Sequence, residues 1–394
     1  MRHAVKYGLP NAGRHDGVNN RVAARQETVT NMEQKLCNIC REFGIGGEFI
    51  TYEEISMGHV NRTYKVDFAG ADGATDSYMV QAINTIAFRD PVAVMENIDR
   101  ITNHIQTKQS EQSTLHFCHA EDGHSYLFKG DEFWRIYHYV PSVTYDTNED
   151  PQIVRSAGEA FGRFQMMLND FDASELHETI PNFHNTPSRY ETLERDAQND
   201  PVGRLDGVRE ELEWLRGARE RACSLTRGYQ EGRLPVRVTH NDTKINNVLF
   251  DPEQKKALVV IDLDTVMPGL VGFDFGDAIR FAANRVEEDS RDVEHAGINL
   301  DIFRAFSEGF LSQTCAVLTR EEIDTLADSC FAITCELAVR FLSDYLEGDV
   351  YFRTRYPEHN LVRARCQIAL ARDILDKLPR MKAIIRECIA AQNI

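Results

Sequence analysis

One stretch constrains this chain more than any other: Val238-Thr239-His240-Asn241-Asp242-Thr243-Lys244-Ile245-Asn246-Asn247-Val248-Leu249, followed by the apolar run Leu258-Val259-Val260-Ile261 and then Asp262. The first part fits H-x-D-x-x-x-x-N, with Lys244 between Asp242 and Asn247. At that spacing an aspartate can meet a substrate hydroxyl while the asparagine reaches back to a metal on a phosphate chain, as in kinase catalytic loops. Alone, the stretch also reads as a polar loop before a strand. The sequel separates the two readings. An apolar run suited to a buried strand delivers a second carboxylate, Asp262, where a phosphoryl-transfer site needs its second metal ligand.

Asp274-Phe275-Gly276 spells the metal-binding triplet of protein kinases literally, but Gly269 and Gly272 precede it where a buried strand is required. The metal is therefore expected at Asn247 and Asp262. Asp274 and Asp277 are expected to make hydrogen bonds or ion pairs that hold the loop, with Arg280 one turn along as partner. For Asp264, assistance at the metal and a solvated or capping role both stay open.

Around this island the periodicity changes along the chain. Residues 1–31 carry no sustained pattern and are expected to form a mobile, dispensable extension. A helix is expected over Glu33–Phe43, stopping at Gly44-Ile45-Gly46-Gly47, with strands at Phe49–Ile55, Arg62–Phe68 and Ser77–Ile83. Pro91 opens a helix with Val94, Ile98, Ile101 and Ile105 on one face, and two short strands lead to Pro141. Beyond Pro151, Ile153–Leu168 and Val208–Leu225 read as helices, Val236–Asp264 as a strand-like island, and residues from about 301 onward as helical almost throughout. The fold class expected is α+β and bilobal, with a nucleotide-binding lobe at 32–140 and a catalytic, substrate-binding lobe at 141–394.

Composition narrows the function. With 44 Lys and Arg against 62 Asp and Glu the formal charge is −18, so there is no basic surplus to replace counterions on nucleic acid or to seek an anionic membrane. No apolar run reaches the roughly 18 residues of a transmembrane helix, and the polar start lacks a signal-peptide core. Nine scattered cysteines are no disulfide framework, and Cys37-x-x-Cys40 lacks the second close pair that a zinc site wants. The expectation is a cytoplasmic protein without an obligate protein partner.

In the first lobe, Met57-Gly58-His59-Val60-Asn61-Arg62-Thr63-Tyr64 lies between two strands, where Gly58 allows backbone to approach phosphates. Asn61 and Thr63 sit in the same stretch. The third-strand position where protein kinases carry lysine holds Gln81, and Glu96 is the candidate for the helix carboxylate. Arg135 and Tyr137 belong to Trp134-Arg135-Ile136-Tyr137-His138-Tyr139-Val140-Pro141, expected as a hinge beside the nucleotide or as core.

The segments H-N-D-T-K-I-N-N, V-I-D-L-D-T-V-M-P-G and F-D-F-G-D-A-I-R resemble the aminoglycoside-phosphotransferase-like kinases, a superfamily that includes choline kinases. The resemblance runs from about residue 32 to the end. It is nearest to the N-acetylhexosamine 1-kinase branch through G-H-V-N-R-T-Y (58–64), D-P-V-A-V-M-E-N-I (90–98) and F-L-S-D-Y-L-E-G-D-V-Y-F (341–352). It implies a protein-kinase-like fold and ATP- and Mg²⁺-dependent phosphorylation of the anomeric hydroxyl of N-acetylglucosamine or N-acetylgalactosamine. By resemblance Asp242 is the base, Asn247 and Asp262 bind metal, and Lys244 lies near the transferred phosphoryl or the sugar. Arg340 and Tyr351, with His59 and Phe281, would line the sugar pocket. The alternatives are a kinase for another small alcohol, of aminoglycoside or choline type, and an inactive nucleotide- or sugar-binding relative suggested by Gln81.

Overall fold

The computed structural model describes residues 31–55, 60–70, 73–108, 114–146 and 150–392. The expectations placed on residues 1–30 and on Gly58 and His59 lie outside the described residues. The chain divides into two compact units.

The first unit takes the residues up to Ala87 together with Phe117–Tyr139. Its strands β1 (Glu48–Ile55), β2 (Arg62–Ala69), β3 (Thr75–Ile83), β4 (Tyr126–Lys129) and β5 (Glu132–His138) form one antiparallel sheet in the order β1-β2-β3-β5-β4. Alternation along each strand sorts side chains onto two faces. Tyr64, Val66, Phe68, Val80, Ala82, Trp134 and Ile136 occupy one face and pack on Leu36, Ile39, Cys40 and Phe43 of helix α1 (31–42) and the turn after it. The opposite face carries Thr63, Gln81 and Arg135, which the strand register sets side by side. Cys40 is part of the core, and burial, with neighbouring Cys37 and Cys118, pushes its thiol up to about 12. Among the described residues no group of three or more His, Cys, Asp or Glu side chains could hold a metal ion.

The second unit takes Phe88–His116 and everything from Val140 onward. It holds α2 (Pro91–Lys108), α3 (Pro151–Met167), α4 (Thr186–Asn199), α5 (Arg209–Ala222), α6 (Ser224–Gln230), α7 (Val271–Ala282), α8 (Leu300–Thr314), α9 (Arg320–Glu347) and α10 (His359–Ala391). Two small antiparallel pairs are embedded among the helices: β6 (Arg237–Thr239) with β9 (Met267–Gly269), and β7 (Val248–Phe250) with β8 (Ala257–Val260). Local chemistry sets the helix ends. Asp150 caps α3 by accepting from the Gln152 N–H, with Pro151 at the first helical position. Thr319 and Glu322 form a reciprocal capping box on α9, which ends at Gly348 with φ 100°. No described helix is long and apolar enough to cross a membrane.

Helix α3 packs closely against α8. A methyl group on Gly309 would overlap the Arg155 carbonyl, and one on Gly158 would overlap the Phe306 carbonyl, so the two backbones touch where only hydrogen fits. Gly309→Ala should therefore destabilise the protein by about 1–3 kcal/mol through overpacking, read as a lower urea midpoint with an unchanged slope.

Candidate active site

The turn that presents Asp242 is assembled from the inside out. Strand β6 brings His240 to a fully buried position between Phe161 and Phe164, whose ring centroids lie 5.8 and 5.9 Å from the imidazole. His240 Nδ1 accepts from the Asp242 N–H at 3.3 Å, which leaves Nε2 to carry the proton and donate to the Ile261 carbonyl at 2.9 Å. Asn241 then takes a left-handed conformation, φ 65°, and its side chain donates to the Thr265 carbonyl at 2.9 Å. The reversal turns the chain so that Asp242 follows a buried anchor.

Asp274 fixes this reversal. It lies in the first turn of α7, 3% exposed, and one carboxylate oxygen accepts from the His240 N–H at 2.9 Å and from Gln165 Nε2 at 2.8 Å. The other accepts from the Asn241 N–H at 2.7 Å, and the Thr243 hydroxyl donates to the Asp274 carbonyl at 2.5 Å. Both oxygens are thus spent on the loop. Asp274 thus holds the loop by hydrogen bonds, although the strand that its glycines were expected to exclude is present: β9 ends at Gly269.

Asp262 reaches the same region by a different route. Val248 pairs with Val260 across the β7–β8 hairpin, and the Ile261 N–H donates to the Asn247 carbonyl at 2.9 Å. Ile261 is thereby tied to both Asn247 and His240, and the next residue, Asp262, is exposed in a left-handed conformation at φ 59°, ψ 57°. Asp264 is buried at 2% exposure, which removes the solvated role left open for it.

Around Asp242 the partners are specific. Asn247 Nδ2 donates to the Asp242 carbonyl at 2.8 Å and to its carboxylate at 3.1 Å, and Lys244 Nζ lies 2.8 Å from the other carboxylate oxygen. Burial pushes the Asp242 carboxyl up, but Lys244, His240 and Asn247 outweigh it and hold it below the usual aspartate value. For Lys244 burial acts downward, and Asp242, Asp277 and Glu288 together hold the ammonium above an ordinary lysine. Asp277 is paired in turn with Arg280 at 2.9 Å, and Arg280 with Glu288 at 2.5 Å. Arg280 is the expected partner of Asp277; Glu288, in the segment after α7, is a member that local sequence did not suggest.

The other candidates fall into separate groups. Arg340 on α9 has its guanidinium 5.9 Å from the ring centroids of Phe183 and Tyr351 and 5.4 Å from that of Phe352. Tyr351 is 71% exposed. One turn before Arg340, the buried Glu336 accepts from Thr186 at 2.6 Å and pairs with His184 at 2.9 Å. No hydrogen bond or ion pair among the described residues links this cluster to Asp242 or Lys244. Phe281 follows Arg280 and is half-buried. Glu96 pairs within its own unit with His177 at 2.6 Å and Arg100 at 3.6 Å. In the first unit, Asn61 accepts from the Asn84 N–H at 3.0 Å, Thr63, Gln81 and Arg135 are hydrogen-bonded in a row, and Tyr137 packs on Phe117.

A family model, APH, the phosphotransferase enzyme family, matches residues 51–307. The chain belongs to this family. The match spans both units and includes the loop at Asp242, the hairpin and Asp262. Solved structures of similar fold include an aminoglycoside phosphotransferase from Alicyclobacillus acidocaldarius, with TM-score 0.57, 13% identity and coverage of 86% of this chain and 93% of that one. A microcompartment-associated aminopropanol kinase gives TM-score 0.58 and 16% identity over 89% and 98%. A spectinomycin phosphotransferase in complex with ADP and spectinomycin gives 0.56 and 12% over 88% and 98%. Such identities establish a shared protein-kinase-like fold. The protein is a small-molecule phosphotransferase of the APH type.

Asp274→Ala should leave the His240 and Asn241 N–H groups and one of the two Gln165 amide N–H groups without an acceptor, the other staying on the Val238 carbonyl, costing about 3–9 kcal/mol at roughly 1–3 kcal/mol per buried orphan. Asp262→Asn, exposed and tolerant of its left-handed backbone, should leave the melting temperature within about 2 °C. Parallel thermal melts check the pair; equal losses would mean that Asp262 is structural.

Proposed function

We propose that the chain is an ATP- and Mg²⁺-dependent kinase that phosphorylates the anomeric hydroxyl of N-acetylhexosamines, giving a sugar 1-phosphate. The single observation that carries the kinase chemistry is the state of Asp242: an ionised carboxylate held between Lys244 and Asn247 on a loop fixed from beneath by Asp274. In this reading Asp242 orients the sugar hydroxyl and takes its proton as the oxygen attacks the γ-phosphorus. The bond from that phosphorus to the β,γ-bridging oxygen breaks and ADP leaves. Lys244 spreads its charge toward the equatorial oxygens of the phosphoryl group in flight.

The donors at Asn247 and Asp262 fit Mg²⁺. Asn247 spends its amide nitrogen on Asp242, leaving its oxygen as a hard donor, and Asp262 supplies one exposed carboxylate. A magnesium ion commonly keeps waters and takes only one or two carboxylates beside substrate phosphates. Bound there, it would neutralise charge on the nucleotide phosphates.

Arg340 and its rings support the sugar assignment. Three aromatic rings hold a guanidinium whose N–H groups make no hydrogen bond among the described residues. That surface suits stacking of a sugar face and donation to ring hydroxyls or an acetamido oxygen. A choline or aminoglycoside cation would instead want an acidic or aromatic cage free of fixed positive charge. Lys244, Tyr351 and Phe281 complete the proposed acceptor site, and the resemblance to the 1-kinase branch selects the anomeric position.

Asp242→Asn should lower kcat by about 10²–10⁴-fold, the usual share of a general base, with nucleotide affinity little changed. Turnover is read as ADP release across a panel of amino sugars, neutral sugars, choline and aminoglycosides. Arg340→Ala should raise the KM for the sugar about tenfold, the worth of one lost charged hydrogen bond, with kcat close to wild type. Phosphorus NMR of the product decides the position. Coupling to H1 supports the anomeric reading, and coupling to the C6 protons would overturn it while leaving the kinase standing.

A further inference from the structure

Tyr351 and Phe352 owe their place beside Arg340 to an aspartate that local sequence does not single out. Helix α9 ends at Glu347, and Gly348 and Asp349 follow with φ of 100° and 64°. Two left-handed residues in succession reverse the chain. The Gly348 N–H donates to the Tyr345 carbonyl at 3.2 Å and the Asp349 N–H to the Asp344 carbonyl at 2.8 Å, which closes the helix at its glycine. One carboxylate oxygen of Asp344 then accepts from the Val350 N–H at 2.9 Å and the Tyr351 N–H at 2.7 Å. The other accepts from the Phe352 N–H at 3.0 Å and from Asn360 Nδ2 at 2.7 Å. The four consecutive backbone N–H groups of residues 349–352 thus end on one residue, itself 4% exposed.

A carboxylate in the last turn of a helix stands at the negative end of the helix dipole, where a cation is favoured, and α9 has no basic residue there. Hydrogen bonds to a charged acceptor are the stronger class, and the gathered donors offset that cost. What they hold in place is a pair of rings. Phe352 packs on Phe341, one turn before Asp344 on the same helix, at 4.7 Å between centroids, and on Tyr351 at 4.8 Å. Both rings flank the Arg340 guanidinium. Asn360 ties down the start of the loop, since its Nδ2 also donates to Asp349 at 2.9 Å, and Asp349 accepts from Arg204 at 2.7 Å.

We propose that Asp344 is the positioning residue of the acceptor pocket. By collecting the N–H groups of 350–352 it sets Tyr351 and Phe352 against Arg340, and so fixes where that guanidinium donates to a sugar. This rests on the reading that Arg340 and Tyr351 contact the acceptor. Asp344 stands to the acceptor loop as Asp274 stands to the catalytic loop: a buried carboxylate that spends both oxygens on the backbone of the turn it holds.

The test is a double-mutant cycle on the full chain, Asp344→Asn with Arg340→Ala, read as the KM for N-acetylglucosamine and N-acetylgalactosamine, the KM for ATP, and kcat. Asparagine keeps the shape but turns an NH₂ group toward one of the two pairs of donors. The sugar KM should rise about three- to tenfold, near the worth of one lost hydrogen bond, with kcat and the KM for ATP within about twofold of wild type. In the Arg340→Ala background the same change should add less than about twofold, because a residue that acts through Arg340 has nothing left to place. A sugar KM unmoved by Asp344→Asn, or two effects that multiply independently, overturns the proposal. A parallel loss in kcat and in both KM values shows a merely structural role and overturns it too. Phe352→Leu, which removes a ring and leaves every N–H acceptor in place, carries the same cycle if Asp344→Asn melts early. An Arg340→Ala protein with wild-type sugar KM, or a wild type that phosphorylates neither sugar, overturns the acceptor reading itself and the proposal with it.

Discussion

The buried carboxylate of Asp274 is the constraint on which the site depends. A chain reversal between β6 and Asp242 leaves two consecutive backbone N–H groups, of His240 and Asn241, pointing inward, and such groups are costly without acceptors. Asp274 takes one on each oxygen and adds Gln165 from α3, so one side chain joins α3, α7 and the catalytic loop. Burial drives the Asp274 carboxyl above the usual aspartate value, against the pull of His240 and the backbone N–H groups of His240 and Asn241. The group trades solvation for position. That trade fixes the position of the residue that follows, Asp242, against the rest of the fold.

From Asp242 the charges alternate outward: carboxylate, Lys244 ammonium, Asp277, Arg280, Glu288. Each buried member is compensated on both sides, which avoids the penalty of an isolated ion in a poorly hydrated setting. Glu288 also carries a positional consequence. It stands in the irregular segment between α7 and α8, and its bond to Arg280 fastens that segment to the helix bearing Asp277. Lys244 thereby feels the negative charge of Asp277 and Glu288, which come from two elements distant from it in sequence.

What the sequence disclosed follows from how local each signal is. The strands of the first unit were readable because alternation and a glycine-containing turn are local properties. Asp242, Asn247 and the position of Asp262 were readable because loop and hairpin occupy 25 consecutive residues, 238–262, and strand pairing fixes their register. The hydrogen bonds of Asp274 to the loop were expected, but the reason given was not sound, because Gly269 ends strand β9 instead of excluding one. Helix α4 was missed because its sequence is largely polar and its few anchors, Tyr190, Leu193 and Ala197, are buried only through packing on other helices. Glu288, Gln165 and the rings Phe183 and Phe352 were missed for a related reason. Their partners are set by tertiary packing, which no window along the chain contains. Arg135 shows the middle case: it was noticed as part of a presumed hinge, but its pairing with Gln81 depends on β3 and β5 being neighbours although α2 separates them in sequence.

A chain of net charge −18 in a phosphotransferase family raises the question of how an acidic protein tolerates a phosphoryl group. The resolution lies in distance. At physiological ionic strength, charges more than about 8 Å away across solvent are largely screened, whereas buried or partly buried ones nearby are not. The surface acids therefore contribute little at the site, and what matters is which cations sit close and how firmly. Arg280 is 3% exposed and held by the carboxylates of Asp277 and Glu288, so its field reaches neighbours through protein rather than water. Fixed charges of this kind need no reorganisation when a phosphoryl group gains or shifts charge, which is the condition for electrostatic catalysis. The acidic exterior and the local cations are thus compatible, because screening uncouples the one from the other.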